Sequence, residues 1–397
     1  MKFKKRGLII GCGIAGPAAA IFLKRAGYET VIYEAMEEPD DYAGLFLNLA
    51  RNGMRVAEQM GVADRIRSEG IEMKVMRFYS GSGKRLGEVG QWNGEPQGYT
   101  VKRSFLHKVL REEAERQGIP IEYGKKLVDL KMTGLNVTAS FADGSSAIGD
   151  FVVGCDGIHS AVRRIVLPDA EQPDYTGLIS FGGFSRNVNV PFEPGVQHMI
   201  FGKKAFFGYV VKKDGEIYWF GNLSYPGKPT RKDLLALGQA AWKKTITELY
   251  QHDREPIPEI IRRTEGEIGV YPIYDLLSQT AWHKSSVVLI GDAIHATSPN
   301  AGQGASLALE DAMMLAKCMR DCEQTGQAFS MFHQLRRERV ERIVQYSRSI
   351  GERKHAINPV QVFFRDLMLP IFLKSANKQS QEWLYDYRIE WDEALQR

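Results

Sequence analysis

The chain has 397 residues, of which 44% are apolar and 25% charged, and its 52 Lys+Arg against 48 Asp+Glu leave a formal net charge of +4. That length exceeds one ordinary core, so two or more packed units are expected, and the average composition excludes disorder, coiled coil and collagen. The basic residues are scattered rather than gathered into a tract, which argues against nucleic acid as a partner.

In chain order, the basic stretch Met1 to Arg6 followed by the apolar run to Leu23 imitates a secretory leader. Leu8-Ile9-Ile10 followed by Gly11, Gly13 and Gly16 instead reads as a buried strand turning into a helix. The spacing predicts an amphipathic helix to Ala26, then a strand Thr30 to Tyr33 ending at Glu34, which makes one βαβ unit. Helices are predicted over Asn52 to Met60 and Ser104 to Gln117, the second with Ser104 as N-cap and Gly118 as its stop. Residues 76 to 99 alternate and turn often, a short β excursion. Strands follow over Ile121 to Leu130, Asn136 to Phe141 and Phe151 to Cys155, with a hairpin reversal at Asp143-Gly144.

Residues 175 to 224 carry Phe184, Phe201, Phe206, Phe207, Tyr209, Tyr218, Trp219 and Phe220 in period-two runs, a β-rich insertion with an aromatic interior turning at Asp214-Gly215. A helical stretch over about 231 to 251 precedes the strand Ser286 to Ile290, a second glycine-rich loop, and a helix from Ala305 to Arg320. The mixed charge of Gln334 to Arg353 reads as a solvated helix face. Val360 to Leu373 is apolar but interrupted by Arg365, Asp366 and Pro370, so it is expected to pack on the body. No stretch reaches the ~18 apolar residues of a membrane span, and the expectation is a soluble, cytoplasmic protein. Cys12, Cys155, Cys318 and Cys322 form no CxxC pair, which predicts reduced thiols and no metal site.

Three motifs carry chemistry. In Gly11-Cys12-Gly13-Ile14-Ala15-Gly16, Gly11 allows a tight turn, Gly13 lets backbone approach a pyrophosphate, and Gly16 lets helix and strand pack closely. Ile14 and Ala15 open the helix, and Glu34 can accept from both hydroxyls of a ribose, which favours FAD or NAD over NADP as the resident nucleotide. The second motif, Cys155-Asp156-Gly157 through Arg163, is by itself an ordinary strand-to-helix turn. In the third, Gly291-Asp292 through Gly304, Asp292 can bind a polyol hydroxyl. The turn Gly302-Gln303-Gly304 can set helix-start N–H groups against an anionic centre.

In this order and separation the three motifs resemble the FAD-dependent class A aromatic monooxygenases of the para-hydroxybenzoate hydroxylase fold, over roughly residues 7 to 350. Salicylate- and urate-hydroxylase-like enzymes and tetracycline-inactivating monooxygenases belong to that group. The resemblance implies an α/β fold, a Rossmann-like FAD-binding domain with an inserted β-sheet substrate domain and a C-terminal helical region. It implies tightly bound, non-covalent FAD, transient NADPH or NADH, O2 as co-substrate, and hydroxylation of an aromatic or polyketide-like molecule through a flavin C4a-hydroperoxide. It places Gly11, Gly13, Gly16 and Glu34 on the ADP half of FAD and Asp292 on the ribityl chain. Asp156 and Gly157 go to the pyrophosphate and NAD(P)H, Arg103 packs near the FAD, Arg51 stands at the flavin edge, and Pro299 with Gly302, Gln303 and Gly304 lines the ring. Ala305-Ser306 and Arg51-Asn52 depart from the pattern, where relatives carry an Asn and a Pro.

The implied domains are 1–75, 100–174 and 275–355 for FAD, 76–99 and 175–274 for substrate, and a C-terminal helical extension over 356–397. Phe207, Tyr209, Phe220 and Pro299 are the expected substrate pocket. No catalytic side chain is assigned, since the cofactor carries the chemistry, and His295 is read as structural. A monomer or homodimer is expected. A reductase or Baeyer–Villiger-type oxygenase on the same fold, or a non-catalytic FAD protein that sequesters an aromatic ligand, are the competing readings.

Overall fold

A computed structural model of the chain describes residues 5–39, 44–90, 95–134, 136–277, 279–352, 366–370, 373 and 381–395. Its first layer is a six-stranded sheet in the order His283–Lys284, Val287–Leu289, Phe151–Gly154, Arg6–Ile10, Glu29–Tyr33 and Ile121–Glu122. All neighbours in it are parallel except the short edge strand His283–Lys284. Leu8, Ile9, Val152, Val153, Val287 and Val288 are fully buried, the continuous apolar run of a sheet covered on both faces. The helix Ala15–Arg25 packs between this sheet and the helices Arg103–Arg116 and Gly304–Asp321. It is therefore buried all round from Ala15 to Leu23 rather than amphipathic, because helices flank it on the side where solvent was expected.

The second layer is a seven-stranded sheet ordered Thr264–Asp275, Asp174–Ser185, Ile217–Ser224, Phe206–Val211, Val196–Phe201, Val75–Ser80 and Arg85–Gly90. One face packs on the helices Gln239–Tyr250 and Ile257–Arg262 through Phe181, Phe207, Trp219 and Tyr250. The other face carries Met199, Phe201 and Phe206 and meets Leu369 and Leu373. A small sheet of Phe46–Ala50, Gly98–Lys102 and Ile71–Met73 bridges the two layers, and Leu127–Thr133, Asn136–Phe141 and Ser146–Gly149 form a separate meander. The expected reversals at Asp143-Gly144 and Asp214-Gly215 join antiparallel neighbours.

Four local expectations need correction. The fourth helix starts at Arg103 behind Lys102, and Ser104 does not cap it. The expected strand Ile121 to Leu130 is broken between Glu122 and Leu127, its two parts joining different sheets. The stretch 231–251 is two helices, Arg231–Ala236 and Gln239–Tyr250, parted at Gly238 with φ 77°. The charged helix Thr325–Glu352 is not simply a solvated face: Arg336 is fully buried between Glu310 and Asp311, and Arg339 bonds Glu310 beside it. Periodicity could not reveal this, because the partners lie on another helix.

Of the apolar stretch Val360 to Leu373, residues 360–365, 371 and 372 lie outside the described residues. Leu369 and Leu373 pack into the sheet-face cluster, while Leu367 and Met368 are exposed. Among the described residues no helix is long and apolar enough to cross a membrane.

Candidate active site

The two layers enclose a cavity of about 1140 Å³, larger than the roughly 300–1,000 Å³ of a pocket for one small ligand. Ile14, Arg103, Phe220, Asp292, Pro299, Gly302 and Gly304 line it together, so four distant segments of chain converge on one cavity. The turn behind Ile14 is built tightly. A Cβ on Gly16 would stand 1.9 Å from the Gly11 carbonyl oxygen, whereas one on Gly13 would meet nothing within 4 Å. Gly16 therefore serves helix-to-strand packing, and Gly13 faces free space at the helix start. Ile14 at that start donates no side-chain cap, and the first turn holds no acidic residue. Unpaired N–H groups and the positive end of the helix dipole are thus available to an anion.

Glu34 closes the turn from the second strand. Its Oε2 accepts from the Cys12 N–H at 2.7 Å and its Oε1 from the Met36 N–H at 2.9 Å. Burial, with Glu34 nearby, pushes the Cys12 thiol up to about 12, so it is a space-filler and no thiolate.

Asp292 projects into the cavity, exposed to it, with Arg103 close enough to interact and equally exposed. The protein mass around Asp292 pushes its carboxyl up, and Arg103 and His295 pull it back. The loop is anchored from below. Arg163, fully buried, donates to the Ala293 carbonyl at 2.6 Å and the Ile158 carbonyl at 2.8 Å, tying the second motif to the third. Asp311 accepts from the Gly291 N–H at 2.9 Å and contacts His295 Nε2 at 2.5 Å. His295 is buried there and does not line the cavity, in keeping with a structural role. Facing Arg336 and His295 lowers Asp311 to about 2, so it stays ionised as the loop's support. Gly302 takes φ 62°, a left-handed turn that suits glycine, and the helix Gly304–Asp321 then begins with no side-chain cap and no acid in its first turn.

Other predicted residues lie elsewhere. Asp156 is turned inward: its oxygens accept from Ser160 Oγ at 2.5 Å, the Ala161 N–H at 2.6 Å and the Val162 N–H at 3.1 Å, capping the helix Ala161–Val166. Gly157, with φ 75° and open space around it, makes the turn, and the following Ile158 and His159 line the cavity. The Gln303 side chain is buried and accepts from Asn52 Nδ2 at 3.0 Å.

Arg51 lines a separate cavity of about 460 Å³, not the large one. Its guanidinium is committed to Asp386 at 2.9 Å and to the Glu95 and Pro96 carbonyls at 2.7 and 3.1 Å. Phe207 and Tyr209 sit in the core on the helix side of the seven-stranded sheet, where Phe207 stacks on Trp219 at 5.6 Å. The physical reason is the period of two. Phe206, one residue earlier, points into the cavity with Phe78, Phe201 and Phe220, and strand alternation in the sequence does not say which face is which.

Composition and motif spacing missed Asn48, Gln197 and Met199 on the cavity wall, and the ion network of Arg336 and Arg339. Arg163 alone had a sequence signal, being the last residue of the second motif.

A sequence model of the FAD binding domain matches residues 5–347. FAD-dependent urate hydroxylase of Klebsiella pneumoniae subsp. pneumoniae is 26% identical over 352 residues, which cover 86% of this chain and 88% of the hydroxylase. The 6-hydroxynicotinate 3-monooxygenase of Bordetella bronchiseptica is 28% identical over 371 residues, 87% of this chain and 91% of that enzyme. The crystal structure of Klebsiella pneumoniae HpxO complexed with FAD and uric acid has a TM-score of 0.82 at 22% identity, covering 97% of this chain and 96% of its own, which shows a shared fold.

Proposed function

The chain belongs to the FAD binding domain family and is an FAD-dependent monooxygenase, and on that premise we propose that it draws on NADH or NADPH and O2 to hydroxylate a small aromatic or polyketide-like molecule held in the large cavity. The observation that carries this reading is a single one. Two uncapped helix starts, Asp292 and Arg103 open onto the same cavity as an apolar wall of Phe78, Met199, Phe201, Phe206 and Phe220.

The residues present fit FAD. The Gly11–Gly16 turn would receive the pyrophosphate against open space at Gly13, Glu34 the ribose hydroxyls and Asp292 the ribityl chain. Pro299, Gly302 and Gly304 would flank the ring, and Arg103 would stand near it. FAD when bound supplies the electron storage and oxygen activation that no side chain offers. The chain's own contribution is to bind, orient and exclude water. The N–H groups at the start of Gly304–Asp321 favour negative charge beside them, by ~0.3–2 kcal/mol. The aromatic wall keeps water from the reacting ring, which limits loss of reducing equivalents to H2O2.

The test follows NADH and NADPH oxidation together with H2O2 in the purified flavoprotein across phenols, purines, quinolones and polyketides. One compound that stimulates oxidation with little peroxide supports the proposal. FAD bound with no stimulation by any compound favours ligand sequestration instead.

A further inference from the structure

On the cavity face of the seven-stranded sheet, one row of side chains runs across the strands. Tyr271 lies opposite Ser180, Ser180 opposite Asn222, Asn222 opposite Phe206 and Phe206 opposite Phe201, and all of them line the large cavity. Residues paired in this way share a face, so the row crosses five neighbouring strands and is about 19 Å long at ~4.8 Å per strand. Its chemistry changes part-way along. Tyr271, Ser180 and Asn222 carry hydroxyls and an amide, whereas Phe206 and Phe201 carry only rings.

The two ends differ in exposure as well. Phe201 and Phe206 are buried and pack with Leu369 and Leu373, which closes the apolar end. At the polar end Arg231 lines the cavity while remaining exposed, which places it at the mouth. Its guanidinium carbon stands 4.8 Å over the Tyr271 ring. Asp233, two residues on, is committed elsewhere: it accepts from the Thr230 N–H at 2.8 Å and the Thr230 hydroxyl at 2.7 Å in capping the helix Arg231–Ala236. Among the described residues no carboxylate pairs with Arg231. The carboxylates of the cavity wall already have cations near them, Arg103 by Asp292 and Arg348 by Glu352. Arg231 is thus the cation on the wall for which the described residues supply no counter-charge.

On the reading of the cavity as a hydroxylase pocket, we infer that it takes an elongated aromatic acid, apolar end inward over Phe206 and Phe201, with the carboxylate received by Arg231 at the mouth. Arg231 then sets the preference for charge, and the row sets the preference for length. The guanidinium fork matches a carboxylate in two parallel bonds, and the Tyr271 ring beneath it holds its plane. A single ring seated at Arg231 falls short of Phe201, so each apolar extension along the row buries further surface.

The experiment measures dissociation constants by titration calorimetry of the FAD-loaded protein. The probes are benzoate, 2-naphthoate and biphenyl-4-carboxylate for length, and biphenyl-4-carboxamide as the uncharged counterpart of the last. The wild type is expected to bind biphenyl-4-carboxylate about tenfold or more tightly than either the carboxamide or benzoate, with 2-naphthoate between. Arg231→Met, a change at an exposed position, should bring the acid-to-amide ratio near one and leave the length ratio in place, and Arg231→Lys should restore part of the first. Phe206→Ala should lower the length ratio and leave the acid-to-amide ratio as in wild type.

A wild-type acid-to-amide ratio near one, the same ratio in Arg231→Met as in wild type, or no gain from benzoate to biphenyl-4-carboxylate would each overturn the inference. The wild-type series decides the length preference if Phe206→Ala does not fold. A parallel titration with NADP+ separates the other source of an anion: weaker NADP+ binding in Arg231→Met with an unchanged acid-to-amide ratio assigns Arg231 to the dinucleotide and overturns the inference. A wild-type protein that retains no flavin refutes the proposed function, and the inference with it.

Discussion

Two glycines in one turn should fail in opposite ways when each becomes alanine. In Gly16→Ala the new methyl would stand 1.9 Å from the Gly11 carbonyl oxygen, so reaching the 3.4 Å of ordinary contact needs a displacement of 1.5 Å. The obstacle is backbone, and the helix that must retreat is buried along Ala15 to Leu23. Overpacking of a rigid core costs ~1–3 kcal/mol, and a clash of this depth with a carbonyl belongs at or above the upper end. The ~1 kcal/mol by which alanine favours a helix over glycine does not offset it.

Gly13→Ala meets nothing within 4 Å and its φ is not positive, so the apoprotein should be unchanged or stabilised by about 0.4–1 kcal/mol. The same methyl occupies the space a pyrophosphate would use, and flavin retention should fall tenfold or more. Urea unfolding of both apoproteins, with flavin content after gel filtration, reads the two effects separately. Equal destabilisation by both substitutions, or wild-type flavin content in Gly13→Ala, would refute the division of roles.

Asp292→Ala should keep the fold, because Asp292 is exposed and lines the cavity, yet lose bound FAD and with it turnover; unchanged flavin content counts against the role given to it. Arg336→Met leaves Glu310 and Asp311 buried with fewer counter-charges and should lower stability by about 3–5 kcal/mol in urea titrations, far more than Arg337→Met on the exposed side of the same helix. Burial between the Tyr79 and Tyr209 rings depresses His198 to about 4, so the unfolded chain binds the extra proton first. Stability is therefore complete well above pH 6.5 and falls as pH drops through 6.5 toward 4, by on the order of 3 kcal/mol in total. His198→Phe should keep the stacking and flatten this slope, and an identical slope in the variant would exclude His198 as its source.

The glycine turns proposed to hold the cofactor were legible in the sequence because their demands are local. A strand, a glycine turn and a helix start follow one another within a dozen residues, and the steric need at Gly16 and the left-handed turn at Gly302 are properties of the adjacent backbone. The same locality made the reversals at Asp143-Gly144 and Asp214-Gly215 readable. Where a requirement is set by a partner far along the chain, the pattern was silent. Arg51 carries no mark that Asp386 and the Glu95 and Pro96 carbonyls will engage it, and Arg336 reads like its exposed neighbour Arg337 until Glu310 and Asp311 are brought against it.

The aromatic strands show the division most plainly. Alternation fixed that one of Phe206 and Phe207 faces each side, but only the packing of Gln239–Tyr250 and Ile257–Arg262 on one face decided that Phe207 is core and Phe206 is cavity wall. The hydrogen bonds among Asn48, Thr100 and Gln197 join positions that have no relation until two sheets meet. Sequence determined most of the elements and the two glycine turns, since those follow from short-range sterics and hydrogen bonding. Tertiary structure decided which faces look inward and which charges are neutralised, since burial and pairing are properties of surfaces that touch only after folding.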